Sequence, residues 1–486
     1  MNYKMIGRFL AQILAIEAVF MLPAMGIGMG YGEWNTVIAF AITVGIILAV
    51  TSLLQILCRK APKVLNARAG MVCVGISWIV LSLFGAIPFV LSGDIPHYID
   101  ALFETVSGFT TTGASILSNV EGLTKGCLYW RSFTHWLGGM GVLVFLLAIA
   151  PGDKDKGFTM HLLRAESPGP EVGKLVPRMR KTASILYVIY IVMTLVNFLL
   201  LLLGNMPWLD ALCTAFGTAG TGGFGIKNDS MASYSPYIQY VTAIFMLLFG
   251  VNFSCYYLIL LRRFKAVFKD EELRLYLGIV AVSIVFIIAN IYASMGRGYG
   301  TLEETFRHSF FTVSSIITTT GFGTTDFDLW PAFSKSIILF LMVVGACAGS
   351  TGGGLKVSRL MYLLKSLGRN IVQVLNPRRV KLIRNNGQVV SEKVLNNTNA
   401  YLAAYVSIII FSFVLVSFDN NTIGTNFSAV LACFNNIGPG LEAVGPTCNY
   451  GHFSDLSKLI LSADMLAGRL EIFPILLLFS AGTWKK

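Results

Sequence analysis

The sequence predicts an all-α polytopic membrane protein. It reads as four fused helix–pore-loop–helix repeats around a pseudo-fourfold pore, preceded by two extra N-terminal transmembrane helices. Three observations carry this reading. Only 13% of the 486 residues are charged while 55% are hydrophobic, where a soluble chain carries about 25% charged residues. The apolar residues gather in runs long enough to cross a bilayer, and a glycine-rich turn recurs four times between them.

A spanning helix needs roughly 20 apolar residues, each rising about 1.5 Å across a hydrocarbon core of about 30 Å. That rule gives ten spans, at 6–29, 35–57, 69–91, 128–150, 183–203, 236–261, 275–295, 332–350, 399–418 and 456–480. The first run is too long for the apolar region of a cleavable signal peptide, and no convincing cleavage site follows it.

The net charge of +12 is not spread like a nucleic-acid groove. It sits in clusters between alternate spans: Arg59 to Arg68, Lys154 to Lys181, Arg262 to Lys269, Lys365 to Arg384, and Lys485 with Lys486. The intervening loops hold Asp94, Asp100, Glu104, Asp210, Asp229, Glu303, Glu304, Asp326 and Asp328 with few cations. Cations concentrate on the cytoplasmic side of membrane proteins, so both termini are expected in the cytoplasm. The partner implied is membrane lipid, not nucleic acid. No two of the eight cysteines have CxxC spacing, and most read as small buried hydrophobes. Cys127 and Cys448 fall in external loops, where their pairing is left open.

Between the spans at 69–91 and 128–150, a segment too short to cross leads from Asp100-Ala101-Leu102-Phe103 to Thr110-Thr111-Thr112-Gly113-Ala114. Asp210-Ala211-Leu212-Cys213 leads likewise to Ala219-Gly220-Thr221-Gly222-Gly223. A third copy arrives at Thr318-Thr319-Thr320-Gly321-Phe322, and a fourth at Asn435-Asn436-Ile437-Gly438-Pro439. Aligned on Gly113, Gly222, Gly321 and Gly438, the copies lie 109, 99 and 117 residues apart. The repeats are therefore 69–182, 183–274, 275–398 and 399–486, after an N-terminal two-span unit at 1–68.

A half-helix that enters a membrane and turns back ends in unpaired carbonyls, which lipid cannot satisfy. Each repeat contributes two full spans, so all four half-helices enter from one face and surround one axis. Their carboxyl ends carry partial negative charge, and glycine frees the backbone to aim carbonyls at a common point. Such carbonyls replace the water shell of a cation. The expected ion-binding residues are Thr111, Thr112 and Gly113; Gly220, Thr221 and Gly222; Thr319, Thr320 and Gly321; and Asn436, Ile437 and Gly438.

The eighth span breaks into Gly345-Ala346-Cys347-Ala348-Gly349-Ser350-Thr351-Gly352-Gly353-Gly354-Leu355-Lys356. Lys356 does not complete a phosphate-binding loop, because no Gly-Lys-Ser/Thr follows. Arg469 falls in the middle of the last span, where a lone charge is costly. At about 100° per residue neither Asp464 nor Glu471 shares its helix face, so Arg469 is expected to face a water-filled cavity. The five histidines show no metal spacing, and no nucleophile–base–acid set suggests an enzyme.

On these loops the chain resembles the TrkH/TrkG/KtrB superfamily of bacterial potassium uptake proteins. The resemblance covers essentially the whole chain, and Thr320-Gly321-Phe322-Gly323-Thr324-Thr325-Asp326-Phe327 is its most specific part. The first two spans resemble the extra pair that TrkH has and KtrB lacks. The resemblance implies a fold like four fused two-span potassium channel subunits, with K+ as the transported ion and no organic cofactor. It places Gly345, Gly349, Gly352, Gly353, Gly354 and Lys356 in an intramembrane gating loop, and Arg469 in the pore beneath the filter. It further implies a homodimer in the bacterial cytoplasmic (inner) membrane, regulated by a ring of TrkA-like nucleotide-binding subunits. A secondary transporter of a small organic solute is the alternative. That reading needs discontinuous helices in inverted halves, which the sequence does not display.

Overall fold

A computed structural model of the chain describes residues 3–59, 67–141, 179–295 and 298–484. The expected basic clusters at Lys60 to Arg68 and Lys154 to Lys181 lie largely outside these residues, as do Lys485 and Lys486. So does the last part of the span expected at 128–150.

The described chain is almost wholly helical. α1 (Tyr3–Tyr31) and α2 (Trp34–Leu57) form an antiparallel pair. Gly32, at φ 75°, makes the reversal, and the Glu33 amide donates to the Gly28 carbonyl at 2.9 Å. The four repeats then follow one plan. An outer helix opens each: α3 (Ala67–Gly85, continued by α4, Ile87–Ser92), α7 (Met179–Leu203), α12 (Glu271–Met295) and α16 (Glu392–Val416). A short buried helix comes next: α5 (Tyr98–Phe109), α8 (Trp208–Gly220), α13 (Leu302–Ile317) and α17 (Ile423–Phe434).

An inner helix closes each repeat: α6 (Lys125–Met140), α9 (Pro236–Phe249), α14 (Ala332–Val344) and α18 (Asp455–Arg469). Each inner helix packs against the short helix of the next repeat, α6 on α8, α9 on α13 and α14 on α17. The last, α18, packs on α5 and closes the circle.

Among the described residues, six helices are long and apolar enough to cross a membrane, and α9 with α10 (Phe253–Leu260), bent by 90°, passes the same test as a pair; the short α11 (Phe264–Phe268) follows. Of the ten spans expected from the sequence, the four at 128–150, 236–261, 332–350 and 456–480 hold shorter helices than their apolar runs suggest, the third of them broken at the glycine-rich stretch as expected. Every inner helix stops after 13 to 16 residues, about 20–24 Å at 1.5 Å per residue. Each has its own cause. α6 ends at Gly141, with φ 78° and ψ 124°. α9 turns at Gly250-Val251-Asn252, where the Asn252 side chain caps α10 by accepting from Ser254 N at 2.9 Å. α14 ends at Gly345, φ 70°. α18 ends at Arg469, because Glu471 and Ile472 both take positive φ before α19 (Phe473–Phe479) resumes.

On the inner side of the third repeat, α15 (Val357–Leu375) leads to a small hairpin of β1 (Arg384–Asn385) and β2 (Gln388–Val389). Asn386 and Gly387 turn it with positive φ, the signature of a tight hairpin. It docks on the start of α12, where Asn386 N donates to Glu271 Oε1 at 3.0 Å. All eight cysteines are free, and Cys127 is buried while Cys448 is exposed.

Candidate functional site

Each short helix ends in the same way. The amides of Thr112, Gly222, Thr320 and Ile437 donate to carbonyls five residues back, at 2.9, 2.8, 2.8 and 2.9 Å. The preceding residues, Thr111, Thr221, Thr319 and Asn436, are left-handed, with φ of 55°, 53°, 58° and 56°. This is a Schellman closure made without glycine at the left-handed position. For a β-branched threonine that conformation is a true outlier, of the kind that persists only where the surroundings fix it.

The glycines that follow are Gly113, Gly223, Gly321 and Gly438, all with positive φ. The backbone thus moves the second loop by one residue. Gly223 stands with Gly113, and Gly222 stands with Thr112. The sequence held the signal, since Gly223-Phe224-Gly225 repeats Gly321-Phe322-Gly323. Gly220, expected in the set, ends the helix one place earlier and packs against His135.

The four loops interlock. A Cβ added to Gly113 would overlap the Gly222 carbonyl oxygen, and one on Gly223 the Thr320 oxygen. One on Gly321 would overlap the Ile437 oxygen, and one on Gly438 would lie 2.8 Å from the Thr112 oxygen. The four carbonyls come from equivalent positions, taken in order around the circle. No side chain fits at those glycines while the ring is closed.

Side chains buttress the ring unequally. In the first and third loops a threonine pair is hydrogen-bonded, Thr110 to Thr112 at 2.8 Å and Thr318 to Thr320 at 2.7 Å. In the fourth, Asn436 Nδ2 donates to Thr112 Oγ1 at 3.0 Å and to the Met465 carbonyl at 2.9 Å, while Tyr405 donates to Asn435 Oδ1 at 2.9 Å. Between the first two loops, buried Arg131 donates to Glu104 at 2.6 Å and to the Gly225 carbonyl at 2.9 Å. Glu104 also accepts from Ser115 Oγ and Ile116 N, at 2.9 and 3.0 Å. On the outer surface Glu442 accepts from Thr422 Oγ1 and from Thr425 N at 3.0 Å. The Thr422 hydroxyl foremost holds the Glu442 carboxyl below its ordinary range.

The stretch from Gly345 to Lys356 is a closed loop on the inner side of the ring. Its ends meet, with Leu355 N donating to the Val343 carbonyl at 3.1 Å and Val357 N to the Ala346 carbonyl at 3.0 Å. Gly345, Gly349, Gly354 and Lys356 all have positive φ. The loop touches the ring directly: Gly353 N donates to Thr319 Oγ1 at 2.6 Å, and a Cβ on Gly352 would lie 2.8 Å from the Thr318 oxygen. It is tied to the second repeat where Cys347 N donates to the Gly250 carbonyl at 3.1 Å and Phe253 N to the Gly349 carbonyl at 3.0 Å. Lys356 is buried, and its ammonium donates to the Gly352 carbonyl.

Arg469, expected to face a water-filled cavity, is held by backbone carbonyls. It is half-buried, and Nη1 donates to the Thr351 carbonyl at 2.7 Å while Nη2 donates to the carbonyls of Gly138 and Gly139. It joins the loop to the end of the first inner helix. Asp464 instead accepts from Ser412 at 2.7 Å, and Glu471 pairs with Arg359. Glu471 lies beyond the end of α18, off the helix on which its direction from Arg469 was reckoned. Glu272 was not anticipated at all: its Oε1 accepts from Ala348 N at 2.6 Å and Ser358 N at 3.1 Å. At the head of α12 it reads as an ordinary first-turn acid.

A family model described as "TrkH: Cation transport protein" matches residues 37–486. The chain is 34% identical over 492 residues to the Trk system potassium uptake protein TrkH of Halomonas elongata, covering 100% of each. It is 31% identical over 488 residues to the Trk system potassium uptake protein TrkG of Escherichia coli, covering 100% of this chain and 99% of that one. The crystal structure of the potassium transporter TrkH from Vibrio parahaemolyticus superposes with a TM-score of 0.88 at 30% identity, covering 100% of each chain.

Proposed function

The chain belongs to the TrkH family of cation transport proteins, a family of transporters rather than enzymes, and from that premise we propose that it takes up potassium through the ring of four loops. The observation that carries this reading is the interlocked ring. Four equivalent carbonyls, from Thr112, Gly222, Thr320 and Ile437, each seat against the glycine of the preceding loop. Backbone carbonyls gathered about one axis at helix carboxyl ends suit a dehydrated monovalent cation. The filter residues are Thr111 to Gly113, Thr221 to Gly223, Thr319 to Gly321 and Asn436 to Gly438, one from each of the repeats at 69–182, 183–274, 275–398 and 399–486.

The loop from Gly345 to Gly354 is the gate. A filter selects but does not close, and a permanent potassium leak would collapse the cell's gradients. Arg469 and Lys356 hold the loop shut through the carbonyls they engage. The protein works in the cytoplasmic membrane with both termini inside. It works as a homodimer, for which the exposed apolar stripe Leu364, Leu367, Ile371 and Val374 on α15 offers a surface. A TrkA-like ring docks on the exposed cations Arg378, Arg379 and Lys381 and pulls on α15. A partner shifts the gate only by binding its two states differently, and α15 begins one residue after Lys356. Expression in a potassium-uptake-deficient strain tests the core of the proposal. Growth in low-potassium medium is expected, and failure despite membrane insertion and a regulatory subunit overturns it.

A further inference from the structure

The four ring glycines share one backbone, but their carbonyls are not equally available. Among the described residues, Gly438 alone of the four has a carbonyl that accepts a hydrogen bond. The donor is the Tyr450 hydroxyl, at 2.7 Å, in a buried setting. Tyr450 follows the fourth loop by a dozen residues and returns behind it. Its amide donates to the Ser115 carbonyl at 2.8 Å. Its ring lies between Phe103, at 5.6 Å, and Phe453, at 5.9 Å. The hydroxyl's other polar neighbour is the Cys433 thiol. The side chain is 2% exposed and held from both sides, so its hydroxyl cannot swing away.

A Cβ added at Gly438 would lie 2.8 Å from the Thr112 oxygen, whereas one added at Gly113, Gly223 or Gly321 would lie 2.0, 1.9 or 2.1 Å from its neighbour's oxygen.

We propose that Tyr450 is a positioning residue for ion selectivity, engaging the Gly438 carbonyl so that this level of the filter presents three strong ligands instead of four. The inference rests on reading the loops as a filter. A carbonyl already bonded to a phenol has one lone pair committed and offers less to an ion. A ring with fewer ligands favours the smaller sodium ion relative to a complete ring, since selectivity depends on the number and strength of coordinating dipoles. Tyr450 therefore lowers the preference for potassium below what four matched loops would give.

The test uses the full chain in proteoliposomes and reads the rubidium-to-sodium flux ratio. Tyr450→Phe should raise the ratio by roughly two- to tenfold, the span that one neutral hydrogen bond covers. A ring-fluorinated tyrosine at 450, the same shape but a stronger donor, should lower it. This second variant keeps the question open to measurement if the phenylalanine protein fails to fold. An unchanged ratio in either folded variant overturns the inference, as do shifts in the same direction, which would mark a packing effect. Gly113→Ser serves as the control for the filter itself. If it changes the ratio and the Tyr450 variants do not, only the role of Tyr450 fails. If Gly113→Ser is also silent, the filter reading fails with it.

Discussion

In the outer half of the repeats, four short helices end in one closure and four glycines interlock in one ring. In the inner half, the helices that follow stop at nearly the same length but by three different means: a positive-φ glycine at Gly141 and Gly345, the Gly250–Asn252 bend, and the Glu471–Ile472 reversal. As the proposed filter, the ring demands equivalence, because a cation on the axis would meet every quarter at once. The inner half demands a difference. One movable segment suffices to close a path, and on the proposed reading the third repeat supplies it while the others supply what it rests on.

The largest effect is expected from breaking the equivalence. Gly113→Ser puts a Cβ onto the Gly222 carbonyl oxygen. It should move the flux ratio toward sodium by at least about tenfold, since no small shift relieves such overlap. Rubidium and sodium flux in proteoliposomes would measure it, and an unchanged ratio would remove Gly113 from the ring's function. Next comes the moving part. Deleting two of Gly352, Gly353 and Gly354 withdraws the Gly353 contact with Thr319, so basal flux should rise and the response to the regulatory subunit should shrink. Normal basal flux with full regulation would place the gate in the ring instead.

Arg469→Ala tests the support more gently. It removes charged donors from three carbonyls. At about 1.5–3 kcal/mol for a bond to a charged group, basal flux should rise roughly tenfold or more. Aggregation on size exclusion would show that Arg469 holds the fold and not the loop. The smallest effect lies at the surface. The Glu442 carboxyl is depressed in the folded state. Its contribution is therefore complete above the ordinary carboxylate range and is lost as pH falls through the depressed value. Glu442→Gln should cost at most about 1 kcal/mol, as for an exposed helix cap. The Tm difference from the parent should vanish in acid; a difference that persists there would mean that charge plays no part.

Much of this comparison was legible in the sequence, and the gaps have physical reasons. Thr-Thr-Thr-Gly and its relatives announce themselves because a re-entrant turn needs particular residues. The register of the second loop was misread because Gly222 and Gly223 are adjacent and composition alone cannot rank them; only the following Phe224-Gly225 decides. The interruption at Gly345 is dense in glycine and easy to see. The breaks at Asn252 and Glu471 are not, since a capping asparagine and two non-glycine residues with positive φ leave an apolar run intact. Arg469 stands out in the sequence as a charge within an apolar run. What satisfies it, three backbone carbonyls from distant segments, has no sequence signature.

The linkage of the four quarters in one chain has a consequence of its own. In an assembly of four identical subunits, a single codon change alters every quarter of the ring together, and most such changes are ruinous. Here one substitution touches one quarter. Thr320 in the third loop holds the place that Ile437 holds in the fourth and Gly222 in the second, and each is free to drift without dragging the others along. If the ring is the filter proposed, ion preference can be adjusted in quarter steps, with the unaltered quarters keeping the path open while one is tried.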